Sequence, residues 1–192
     1  MAVDGRRIHR LLALLRSVAF HMTTRDQDPQ QSALHLADRL SAIGRAALTP
    51  VSGGTDLELL VLDELLAQGV PRAPISIRGP EVRLRPKSAE LLRLVLHELA
   101  ANAVKFGALC QPKAELQVIW WFTGPAGAKL HIEWSEDGVR MESAVRRDGF
   151  GSRVVKHLIA SELHGSGDMV FLNEGILCII EFPSSEALQN ND

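Results

Sequence analysis

The chain has 192 residues, 46% hydrophobic and 23% charged, with a formal net charge of −2. That length allows one medium domain, or a small helical module joined to a compact α/β domain, and the balance is globular, not disordered. The near-neutral charge excludes a global field that would recruit nucleic acid or an acidic membrane, the two cysteines (Cys110 and Cys178) are too few for a disulfide framework and read as buried thiols, and no apolar run reaches the roughly 18 residues needed to span a bilayer.

The first residues are basic and then apolar. Arg16 interrupts the apolar run and no small-residue cleavage site follows, so the segment reads as part of the fold and not as a signal peptide. The protein is therefore expected to be soluble and cytoplasmic. Ile8, Leu11, Leu12, Leu15, Val18, Ala19 and Met22 recur at three- and four-residue steps, the stripe of an amphipathic helix. After a polar break, Leu36, Leu40, Ile43 and Ala47 form a second stripe. Two such helices predict an antiparallel hairpin over residues 1–50. Each stripe is wider than the hairpin alone can cover, so pairing with a second copy would complete a four-helix bundle.

Beyond "TPVSGG" the pattern changes. Asp56 to Leu66 reads as a helix, and Ile75 to Leu84 as strand residues interrupted by Gly79-Pro80. Ser88 is positioned to cap a long helix ending near Lys105. Glu115 to Phe122 and Lys129 to Trp134 follow as strands, and "RRDGFGSR" opens a helix to about Leu163. Asp168 to Leu172 and Ile176 to Phe182 form a last hairpin. The order predicts an α+β two-layer sandwich over residues 55–184, with residues 185–192 as a frayed tail.

Three segments can carry chemistry. On the long helix, Glu98, Asn102 and Lys105 share one face at i, i+4 and i+7, away from the apolar stripe. A carboxylate, an amide oxygen and an ammonium in one row can seat a hydrated Mg²⁺ and a polyphosphate, although such rows are also common on solvated faces. Gly149 and Gly151 precede a helix, where backbone N–H groups can approach phosphate. Glu133, Glu136 and Asp137 stand near Gly138 at a strand end, and a carboxylate there can accept from an exocyclic amine such as that of adenine. None of the histidines outside these segments shows metal-ligand pairing.

Together these segments resemble the HWE group of sensor histidine kinases. "HELAANAVKFGAL" (His97 to Leu109) is similar to the group's N-box, "WSE" (Trp134 to Glu136) to its Trp-x-Glu signature, and "GFGSRVV" (Gly149 to Val155) to its glycine box. The resemblance implies a Bergerat-type ATP-binding sandwich after the hairpin, using ATP and Mg²⁺. It implies Asn102 as the Mg²⁺ ligand with Glu98 beside it as the catalytic carboxylate, and Lys105 on phosphate. Glu136 would take the adenine role. His97, Phe106, Gly138, Gly149, Gly151 and Ser152 would complete the ATP site, with Phe106 standing where the group usually has Tyr. The hairpin would be the dimerisation and phosphotransfer module of a two-component system, passing phosphoryl to a response-regulator receiver domain. In the ungapped register "RRIHRLLA", however, the acceptor position is Arg6, which cannot take a phosphoryl group. His9, one turn on, is then the candidate acceptor. The competing reading is an ATP-binding pseudokinase or docking module without autophosphorylation. A third reading, an anti-sigma-factor serine kinase sharing the ATP fold, is weakened by the attached hairpin.

Overall fold

A computed structural model describes residues 54–69, 73–140 and 150–188, all within the unit Val51–Asp192. The expected hairpin, with Arg6 and His9, lies outside the described residues, as do Gly149 and residues 189–192.

Strand β1 (Thr55–Asp56) leads directly into helix α1 (Leu57–Leu66). Asp56 caps this helix, its carboxylate accepting from the Leu59 N–H at 3.1 Å, which satisfies one of the first-turn donors. The buried stripe of α1 runs Leu57, Leu60, Val61, Glu64 and Leu65, the three- and four-residue spacing of a core-facing helix with a carboxylate inside it. Strands β2 (Ile75–Arg78) and β3 (Arg83–Leu84) flank the Gly79-Pro80 break.

Helix α2 (Pro86–Lys105) starts two residues before the expected cap. Arg85 is the N-cap and Pro86 occupies the first helical turn, where its missing N–H is no loss. Ser88 lies inside the helix and donates its hydroxyl to the Glu186 carbonyl. Strands β4 (Glu115–Thr123) and β5 (Lys129–Asp137) each extend past their expected ends, and a short 3₁₀ turn at Ala108–Cys110 precedes them. Helix α3 (Phe150–Leu163), β6 (Ser166–Phe171), β7 (Gly175–Pro183) and a four-residue helix α4 (Ser184–Ala187) complete the order. The tail is therefore not frayed at its start: Arg85 N–H bonds the Ala187 carbonyl at 2.8 Å, and Leu188 bridges to Leu84.

The five-stranded sheet runs β2-β4-β5-β7-β6, with β2 parallel to β4 and every other pair antiparallel. Alternation sends Leu116, Val118 and Trp120 of β4, Leu130, Ile132 and Trp134 of β5, and Cys178, Ile180 and Phe182 of β7 inward. With Leu92, Val95, Leu96, Leu99 and Ala103 of α2 and Val155, Ile159 and Leu163 of α3 they form one core. Trp120 is the buried member of its pair, its indole donating to the Pro80 carbonyl at 2.8 Å. Trp121, on the other face, stacks on His131 with ring centroids 4.1 Å apart. This is the expected two-layer α+β sandwich. No described helix is long and apolar enough to cross a membrane.

Candidate nucleotide site

The C-terminal half of α2, the turn behind it and the end of β5 meet at one place. Position 136 has the inward parity of Leu130, Ile132 and Trp134, so a carboxylate stands where the alternation calls for a core residue. Glu136 is only 2% exposed. A buried carboxylate needs donors, and it has two: the Trp134 indole donates to Oε1 at 2.9 Å, and the Ala108 backbone N–H donates to Oε2 at 2.7 Å. Of the three acids near Gly138, Glu133 and Asp137 have the opposite parity, so only Glu136 enters the site.

That second bond depends on Gly107. A Cβ there would stand 1.9 Å from Glu136 Oε2 and 2.8 Å from Ala103 Cα. Gly138, just past β5, has φ +71°, and a Cβ would meet the Lys113 carbonyl at 2.9 Å, so both conformation and space call for glycine. The loop closes further through Arg140 N–H to Gln111 Oε1 at 3.0 Å.

Glu98, Asn102 and Lys105 are not the solvated ladder that their spacing alone allowed. Glu98 is 5% exposed, Asn102 is half-buried, and only Lys105 and Phe106 at the helix end reach solvent. His97 is placed apart from this row. It is buried against α1, with Nδ1 3.1 Å from Glu64 Oε2, while Arg93 Nη1 lies 3.0 Å from Glu64 Oε1. The described part of the site contains no group of three His, Cys, Asp or Glu able to hold a metal by itself. The donor set instead suits Mg²⁺, which accepts one protein oxygen and fills its sphere with water and phosphate oxygens.

Helix α3 is tied to the start of α2 by Lys87, whose ammonium donates to the Glu162 carbonyl at 2.5 Å and pairs with the Glu162 carboxylate at 3.5 Å. Glu162 is near the C-terminal end of α3, and α2 and α3 pack together. The 14 residues of α3 span about 21 Å, with Gly151 and Ser152 in the first turn.

Burial raises the Glu136 carboxyl above the ordinary 4.5, against the lowering pull of the Trp134 and Ala108 bonds. A raised folded-state value favours the protonated form in the folded chain. Its stabilisation is full below the unfolded value and is lost as pH rises through the folded one. Urea unfolding of wild type and Glu136→Gln should therefore show a stability difference that shrinks from 4.5 upward. A difference that is flat or grows over that window would contradict the assignment. The two cysteines differ from expectation in part. Burial pushes the Cys178 thiol up to about 12, whereas Cys110 is half-buried and bonds the Gly107 carbonyl at 3.1 Å.

Sequence reading missed the Gly107–Glu136 approach and the Glu64 network. A signal for Glu64 was present, since it occupies a buried position of the α1 stripe. Nothing local announces the Ala108 N–H as a partner.

No protein-family model matches the chain. A blue-light-activated histidine kinase of Rhizobium johnstonii is 33% identical over 189 residues, covering 96% of this chain and 53% of that protein, so the chain spans about half the length of this relative. Among solved structures, the histidine kinase domain of the Erythrobacter litoralis EL346 blue-light activated histidine kinase matches with TM-score 0.58 at 15% identity, over 93% of this chain and 96% of that one. Histidine kinase ThkA, solved in complex with response regulator protein TrrA, matches with TM-score 0.50 at 14% identity, over 93% of this chain and 60% of that one. The chain is a homologue of the blue-light-activated histidine kinases, and its sandwich has the fold of a histidine kinase catalytic domain.

Proposed function

We propose that this chain is the ATP-dependent core of a protein-histidine kinase, acting in a two-component system. The observation that supports the reading is the buried Glu136 carboxylate, held by the Ala108 N–H across Gly107 at the turn that ends the helix carrying Glu98, Asn102 and Lys105. Each Glu136 oxygen keeps a second lone-pair site after accepting from Trp134 or Ala108, so the carboxylate can take one more donor, the adenine amine. Asn102 would hold Mg²⁺ through its amide oxygen, with Glu98 one turn before it. Lys105 would neutralise phosphate charge. The glycine segment from Gly149 through Gly151 and Ser152 would offer backbone N–H groups to the phosphates at the start of α3. Bound magnesium supplies charge neutralisation on the transferring phosphoryl group, and the chain's own residues supply position.

His9 is the proposed acceptor, in a dimerisation and phosphotransfer module spanning residues 1–50 that pairs with a second copy. A response-regulator receiver domain is the proposed next acceptor. The complex of ThkA with its response regulator supports that choice. The proposed setting is cytoplasmic. A second reading, a nucleotide-binding pseudokinase or docking module, is favoured by one observation: Arg6 occupies the usual acceptor position.

Incubation with γ-labelled ATP and Mg²⁺ separates the two. Acid-labile label should appear on the wild-type chain and vanish in His9→Ala. Nucleotide binding with no label on either protein would overturn the kinase reading in favour of the pseudokinase.

A further inference from the structure

Glu64 is the most thoroughly buried charged side chain described, 1% exposed in the middle of the apolar stripe of α1. Its two oxygens meet two side chains of α2, a guanidinium and an imidazole. Oε1 is 3.0 Å from Arg93 Nη1 and Oε2 is 3.1 Å from His97 Nδ1. The Gln68 amide nitrogen lies 3.3 Å from the same imidazole nitrogen. Arg93 and His97 are one helical turn apart, so a single carboxylate grips α2 at two consecutive levels.

We propose that Glu64 is a positioning residue for the nucleotide site, acting through His97 and Arg93 to set the rotation of α2. This rests on the ATP-binding reading of that site. With about 100° between successive residues, α2 presents three faces. One, centred on Leu92, Leu96, Leu99 and Ala103, joins the core. A second carries Arg93 and His97 to α1. The third carries Glu98, Asn102 and Lys105, roughly 120° round from the second. Apolar burial is non-directional, so it specifies the rotation of a helix less sharply. A two-level hydrogen-bonded grip specifies it more sharply, because it is bound by distance and direction.

The gain of such a grip is in geometry more than in stability. Replacing a buried ion pair by well-packed apolar side chains is often neutral or stabilising, so α1 needs no charges to stay on α2. Side-chain tips stand about 5–6 Å from a helix axis, so a rotation of about 10° moves them by about 1 Å. A displacement of that size at a reacting centre can lower a rate by about a hundredfold. His97 immediately precedes Glu98, so rotation at the grip passes directly to the magnesium-side row.

Two variants test this, read by calorimetric titration with Mg-ATP at a temperature well below melting, alongside the melting temperature. Glu64→Gln keeps the shape and weakens the grip. Glu64→Leu/Arg93→Met/His97→Leu removes every charge and keeps an apolar contact. The expected result is a Kd raised at least about tenfold in both, while the triple variant melts at or above the wild-type temperature. A merely structural Glu64 would lower the melting temperature and leave Kd unchanged in the folded protein. Wild-type Kd in both variants overturns the proposal. Wild-type protein that binds no Mg-ATP at all overturns the underlying reading instead, so the two failures are distinct.

Discussion

Gly107→Ala should lower the unfolding free energy by about 3 kcal/mol and remove measurable ATP binding, although it adds a single methyl group. The backbone at Gly107 has φ −108° and ψ −152°, which any L-residue adopts, so conformational strain contributes nothing. The whole effect is space. The added Cβ would fall 1.9 Å from Glu136 Oε2, well inside contact distance, and 2.8 Å from Ala103 Cα. Moving the carboxylate aside breaks the 2.7 Å bond from Ala108 N–H and leaves a buried acceptor and a buried donor unsatisfied. Each such group costs about 1–3 kcal/mol, and overpacking a similar amount. The carboxylate proposed to accept the adenine amine is displaced in the same motion. Thermal melting and calorimetric titration measure the two losses. The double variant Gly107→Ala/Glu136→Ala should recover part of the stability, because the nearest obstacle is gone while the Ala103 backbone remains. Recovery of binding is not expected. A Gly107→Ala protein with wild-type melting and affinity would show that the close approach is dispensable.

The same residue marks where the sequence was legible and where it was not. The segment from His97 to Lys105 reads as a helix with a polar row because both features are local: the period of 3.6 and the i, i+4, i+7 spacing lie within one element. The burial of Glu98 is not local. It depends on what covers the helix, and spacing alone favoured a solvated face. Similarly, β5 reads as ending at Trp134 because Ser135-Glu136-Asp137 is polar, yet the strand continues to Asp137. The inward Glu136 is satisfied there by a backbone N–H 28 residues earlier. Ser88 looked like a cap because serine favours that place, but Pro86 fixes the helix start and Ser88 turns to the C-terminal segment. That segment looked frayed because "SSEALQNND" is polar and short. Pairing of Leu188 with Leu84, over a hundred positions away in sequence, is what orders its beginning. Tertiary partners, more than propensity, account for each difference.

Asn102→Ala carries the second large effect, and it should separate function from stability. Asn102 is half-buried near the C-terminal end of α2, so its loss leaves no large cavity. Alanine is also the better helix former, by up to about 0.7 kcal/mol. The melting temperature should stay within a few degrees of wild type or rise slightly. Phosphorylation from γ-labelled ATP should fall by at least about a hundredfold, the upper end of what even outer-shell partners of a metal contribute. If the loss is that of an oxygen ligand, raising Mg²⁺ at fixed ATP should restore part of the activity, whereas raising ATP at fixed Mg²⁺ should not. Glu136→Ala offers the opposite pattern, because its proposed contact is to the adenine ring: extra Mg²⁺ should bring no recovery. An Asn102→Ala protein that keeps wild-type activity at low Mg²⁺ would move the metal-side contact to another residue. Asn102→Ala activity that no Mg²⁺ concentration changes would instead place the amide among the phosphate-orienting groups beside Lys105.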